Sequence, residues 1–135
     1  MNSLGLDVRH PPAWSAHLLG RVTLWERTTP AGGRGVQEVG IARLAPAPAT
    51  TALERFAGSF FAGQPGLQVP AATGDDQQGD LTIAYRRSGV PVHVALHAAR
   101  DAHGVLLTLA RAPATPQNAA AALLAQFRAG VSAAR

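Results

Sequence analysis

The polar chemistry of this 135-residue chain rests on five histidines, eight carboxylates and twelve basic residues, every one of them arginine; cysteine is absent. Without cysteine there is no thiolate nucleophile, thiolate metal site or disulfide. His93 and His97 share one face of a strand-like run, but four strand residues span about 13 Å, too far for both to ligate one ion. His10, His17 and His103 are scattered. Zinc takes three or four protein ligands in a fixed geometry, and no His-Glu-x-x-His spacing is present. Asp75, Asp76 and Asp80, with Gly74 and Gly79 between them, could attract calcium weakly. They lack the twelve-residue calcium loop, and a solvated turn is the plainer reading. Asp7 with His10, and Glu26 with His17, are the acid–base pairs that sequence proximity offers. Spacing supports neither as a tuned pair. Ser15, Ser59, Ser88 and Ser132 all lie outside a G-x-S-x-G elbow, and GGRG and AGQPG do not follow the strand-turn-helix order of a phosphate loop. No catalytic residue, cofactor site or metal site emerges, and a non-enzyme is expected.

Binding residues are easier to nominate. Trp25 falls on the side of its run opposite Val22 and Leu24, and Tyr85 directly precedes Arg86 and Arg87, the only adjacent arginines. Trp25, Tyr85, Arg86 and Arg87 together are the candidate partner-binding group, with core packing as the plainer reading of Trp25. The formal net charge is +4, yet the arginines are spread along the chain, whereas nucleic-acid binders gather theirs into a stripe. The preference for arginine over lysine accompanies abundant Ala, Gly and Pro, the mark of a GC-rich coding sequence.

These residues must be positioned by an α+β framework. A length of 135 residues suits a single domain able to bury roughly two thirds of its unfolded surface. Strands are predicted at Gly5–His10, His17–Glu26 and Val36–Leu44, the first stopped by Pro11 and Pro12. TTPAGGRG reads as a turn, and Gly40 as a bulge. The uneven strand at Val36–Leu44 is placed at a sheet edge, where it could pair across a homodimer. A helix is predicted over Thr51–Ala62, with Thr51 and Glu54 in capping-box spacing and Leu53, Phe56, Ala57, Phe60 and Phe61 forming an apolar stripe. After an extended piece at Leu67–Pro70, AATGDDQQGD reads as a mobile loop. Runs around Leu81–Arg86, Val92–Ala98 and Val105–Ala110 alternate and are joined by RSG and RDAHG, which predicts an antiparallel meander. A final helix begins near Thr115 and Pro116, with Ala120, Leu123, Leu124, Phe127 and Val131 on its apolar face, and the tail frays. The order is β-β-β-α-β-β-β-β-α.

MNSLGLDVRH carries charge where a signal peptide needs an apolar stretch, and no run reaches the length of a membrane span. The cytoplasm is therefore the expected compartment, with export by a leader no longer attached as the alternative.

Read together, GLDVRHPPAW, TTALERFAGSFF, the long run from Gly79 to Ala112 and AAAALLAQFRAGV resemble the PsbP-like superfamily. That superfamily includes photosystem II extrinsic subunits, a Ran-binding nuclear transport factor, and DcrB and LpqN-type lipoproteins. The resemblance rests on element order and on Pro11 or Pro12, Trp14, Tyr85, Leu107, Leu109 and Phe127. It implies an α/β/α sandwich around an antiparallel sheet, one helix on each face, Trp14 against the core, and a bacterial member without catalytic groups. The chain departs from particular branches: it has no lipobox cysteine, and its balance of charge is basic where the Ran-binding branch is acidic. The expected role is that of a non-catalytic binding or accessory domain that contacts an unidentified protein partner and carries no cofactor. Nucleic-acid or anion binding through arginine is the alternative, and a small enzyme or metal-binding protein the second.

Overall fold

In the computed structural model the described residues are 6–8, 15–19, 22–28, 36–87, 89–114 and 118–133. Their elements run β1 (Leu6–Val8), β2 (Ser15–Leu19), β3 (Val22–Thr28), β4 (Val36–Leu44), α1 (Ala49–Phe60), β5 (Thr73–Gly74), β6 (Gln78–Arg87), β7 (Val90–Asp101), β8 (Gly104–Pro113), α2 (Ala119–Ala129) and β9 (Val131–Ala133). A seven-stranded antiparallel sheet has the order β2-β3-β4-β8-β7-β6-β5, and β1 pairs separately with β9. Helix α1 packs on β6 and β7; α2 packs on the other face over β8 and β7. This is the α/β/α sandwich that the resemblance implied.

Burial along the strands follows from that layering. β8 is covered by a helix on each face, and GVLLTLARAP is buried almost throughout. β6 is covered on one face only, and its residues alternate between exposed and buried. A doubly covered strand reads as a continuous apolar run and a singly covered one as an alternation. Hairpins β6–β7 and β7–β8 close at Arg87↔Val90 and Asp101↔Gly104. Gly104 has φ +117°, and a side chain there would collide with the Leu44 carbonyl. A Cβ at Gly40 would likewise collide with the Leu24 side chain and press on Leu109. Gly40 pairs regularly with Leu24 and Leu109, so close approach of two leucines explains it, and no bulge is formed there.

Several expectations are corrected. The run His17–Glu26 is two strands, β2 and β3, whose pairing closes at Leu19↔Val22. The sequence of that run holds a single residue of turn type, Gly20, a weaker signal than Pro or Asn-Gly. β4 is flanked by β3 and β8, so it is interior, and its own neighbours rule out dimer pairing through it. The tail forms β9 instead of fraying, with Leu6↔Ala133 and Val8↔Val131 in register. Helix α1 begins two residues earlier than predicted, with no side-chain cap. The Ala49 amide donates to the Asp76 carbonyl at 2.9 Å, and the Glu54 carboxylate accepts from the Ala72 amide at 2.9 Å. A tertiary acceptor therefore satisfies the first amide of the helix, and Glu54 serves Ala72 instead of reaching back to the helix start as in a capping box. Helix α2 starts at Ala119; Thr115 and Pro116 lie outside the described residues, as do Pro11, Pro12 and Trp14.

The segment 71–80 is a hydrogen-bonded hairpin and not a loose loop. The Asp75 amide donates to the Gln78 carbonyl at 2.9 Å, and the Asp75 carboxylate accepts from the Gln77 and Gln78 amides at 2.8 and 3.0 Å. Those two amides, Gln78 first, hold the Asp75 carboxyl below its ordinary range. Gln68 then bridges Ala84 in both directions along the outer side of β6, so this sheet edge is covered.

Candidate functional site

The α1 layer leaves an opening. At its outer flank a cleft of about 460 Å³ is lined by Val22, Ala52, Arg55, Phe56, Ser59 and Phe60, and by the chain from Leu44 to Ala47. It lies where the helix, seated on β6 and β7, leaves the β3 and β4 side of the sheet beside it, with Val22 and Leu44 in the lining. Ala49, Ala52, Leu53 and Ala57 are buried against the strands, while Phe56 and Phe60, one turn apart, are only half-buried. The stripe predicted for this helix is present. Its phenylalanines are unequal, since Phe61 is fully buried and the other two wall the cleft.

That wall is braced. Phe56 and Phe60 stack with ring centroids 5.0 Å apart and planes 13° apart. Phe61 meets Phe60 edge-on at 5.1 Å and reaches Tyr85 at 5.7 Å. Such geometries add to simple area burial. Beneath the ladder lies a buried polar cluster. Arg111 donates to the Tyr85 hydroxyl at 3.3 Å and lies 3.3 Å from the Glu38 carboxylate; Glu38 and Arg111 are 6% and 3% exposed. The pairing Glu38↔Arg111 across β4 and β8 puts both on the α1 face. The opposite-charge pair could be found only once β4 and β8 were known to be neighbours.

The rim carries Arg55 and Ser59, four residues apart and so on one edge of the helix. Among the described residues Arg55 makes no ion pair, whereas Arg43 holds both Asp101 oxygens at 2.8 and 2.7 Å. The Arg43 hydrogen bond keeps the Asp101 carboxyl below its ordinary range, helped by the His103 amide and opposed by slight burial.

A second cluster crosses the α2 face. Asp80, His97 and Thr108 fall on one cross-strand row. His97 Nδ1 donates to Asp80 Oδ1 at 2.9 Å, with His97 7% exposed. Acid, histidine and hydroxyl are the residue types of a nucleophilic triad. The Thr108 hydroxyl, however, is buried and not hydrogen-bonded to His97, so no activated nucleophile faces a substrate. Among the described residues no three His, Asp or Glu groups converge to hold a metal. Asp75 and Asp76 build the β5–β6 turn while Asp80 turns to His97.

The residues nominated for a partner do not form one group. Tyr85 is 4% exposed and belongs to the core, so its expected role as a surface anchor is corrected. Arg86 and Arg87 are both exposed, but consecutive strand residues project to opposite faces. They make no single basic patch. Trp25 lies on β3, paired with Val39 and Ala16. β3 and β6 are four strand spacings apart in the sheet order, roughly 19 Å. Alternation makes Tyr85 an outward-facing residue only if the α1 side is taken as solvent, and the aromatic ladder is what decides the side.

No family model matches the chain, and no curated protein matches it in sequence. Among solved structures it is similar to LpqN of Mycobacterium tuberculosis, a protein described as involved in cell envelope biogenesis. The identity is 16%, with a TM-score of 0.55 over 94% of this chain and 82% of that one. CalU16 of Micromonospora echinospora aligns over 87% of this chain at 16% identity with a TM-score of 0.35. The LpqN likeness shows a shared fold, an α/β/α sandwich. No helix among the described residues is long and apolar enough to cross a membrane.

Proposed function

We propose that this chain is a non-catalytic binding domain that acts through protein contacts, and that the cleft on the flank of α1 is where it makes them. The observation that carries the reading is the cleft itself: a trough of about 460 Å³, apolar but for Arg55 and Ser59, with a braced aromatic wall. Its volume falls in the range of ordinary binding pockets. Its chemistry is that of recognition, since among the described residues neither a carboxylate nor a histidine lines it to move a proton. The fold shared with LpqN supports a scaffold on which sites differ between members.

A site-specific crosslinking experiment tests this. A photoreactive phenylalanine analogue at Ser59 should crosslink a discrete partner in cells of the native source, and the crosslink should vanish when Phe60→Asp is added. The same analogue at Thr82, on the open face of β6, should give none. Equal crosslinking from both positions, insensitive to Phe60→Asp, would refute the assignment of the cleft.

A further inference from the structure

We infer that the occupant of the cleft is an acidic amphipathic segment of a partner protein, its apolar side chains in the trough and a carboxylate against Arg55. This rests on the cleft being the contact site. Of the ten described residues that line it, eight, all but Arg55 and Ser59, are apolar, and both polar ones sit on a single edge. A ligand that fits must therefore be apolar along one side and polar along one margin. The sign of that margin is set by Arg55. Among the described residues no carboxylate answers Arg55, as none answers Arg86, Arg87, Arg100 or Arg128, and of these five Arg55 is the one in the cleft lining. A guanidinium beside apolar surface feels less solvent screening than one in bulk water, so an anion brought to it gains more and a cation is repelled more.

The wall is also prepared for the ligand. Phe56 and Phe60 are stacked and buttressed by buried Phe61, which rests on Tyr85, so two half-exposed rings are held in place before anything binds. Rings already ordered lose little side-chain entropy on binding. Tyr85, buried as it is, takes part as the base of this brace.

The test is selection from a random peptide display library on the purified full chain, followed by fluorescence anisotropy with the enriched peptides. Enriched sequences should combine Phe, Leu or Trp with Asp or Glu. Arg55→Glu should weaken them by roughly three- to tenfold, and a peptide with its acid changed to Lys should recover binding to that variant. Phe60→Ala should weaken both peptides alike, with circular dichroism verifying that each variant is folded. Peptides that bind Arg55→Glu as well as the parent but lose affinity for Phe60→Ala would overturn the acidic preference and leave the cleft standing. Peptides indifferent to both variants would overturn the cleft as well. Failure to enrich any peptide, with laurate displacing an apolar dye from the parent but not from Phe60→Ala, would assign the cleft to a small amphiphile and overturn the inference.

Discussion

The two faces of the sheet are packed by different means. On the α1 side the core is built from Leu53, Ile83, Leu96, Leu107, Leu109, Phe61 and Tyr85, large side chains that fill most of the layer but leave its flank open at Phe56 and Phe60. On the α2 side the sheet offers Ala95, Ala110 and Ala112, the helix answers with Ala120, and Leu124 and Phe127 fill the remaining space with Val39 and Ile41. The cleft lies in the α1 layer, walled by the half-buried Phe56 and Phe60, and substitutions should show whether the two layers tolerate added volume differently.

The largest effect is expected where both layers depend on one strand. Leu109→Ala in β8 should cost about 3–5 kcal/mol in urea unfolding, because the cavity lies in fully covered core. Arg111→Met should cost about 3–5 kcal/mol by leaving Glu38 charged in the interior, and a paired Glu38→Leu should recover much of it. Recovery would show that the cluster is not required to hold the α1 layer. Next comes a matched pair. Ala110→Leu should overfill the closed α2 layer and cost about 1–3 kcal/mol. Ala52→Leu, which can extend into the cleft, should stay within about 0.5 kcal/mol of the parent. Equal costs would erase the contrast between the layers. Phe60→Ala, half-buried at the cleft wall, should cost about 1–2 kcal/mol, well below Leu53→Ala.

The smallest effect concerns pH. The Asp101 carboxyl is held below its ordinary range by Arg43, so its contribution is present above the unfolded carboxyl pKa and is lost as pH falls through the lower folded value. The side chain is 43% exposed, and the contribution should not exceed about 0.5 kcal/mol after solvent screening. The melting temperature of Asp101→Asn should lie slightly below the parent at pH 7 and converge with it near pH 2. A gap that widens on acidification would contradict the sign.

Much of the framework is legible in the sequence because local pattern and tertiary burial agree there. The stripe from Leu53 to Phe61, the alternation of β6 and the Leu124–Phe127 face carry the period of the element they form, while β7 and β8 are apolar runs bounded by turns. What was missed depends on neighbours distant in sequence. Glu38 and Arg111 look like solvent-facing charges until β4 and β8 pair. Gly40 looks like a bulge until Leu24 and Leu109 flank it. The tail looks frayed until β1 pairs with it. The cleft is partly within reach: Phe56 and Phe60 fall on the predicted apolar stripe, but that these two rings stay half-buried depends on the sheet order, which seats the helix on β6 and β7.

The most direct test of the site is amide chemical-shift mapping of the isotope-labelled chain titrated with an acidic amphipathic peptide taken from the display selection. The account predicts saturable shifts concentrated at Val22, Ala47, Ala52, Ser59 and Phe60 around the cleft, with α2 and the open face of β6 undisturbed. Shifts centred instead on Thr82 and Arg86, or along α2, would contradict it.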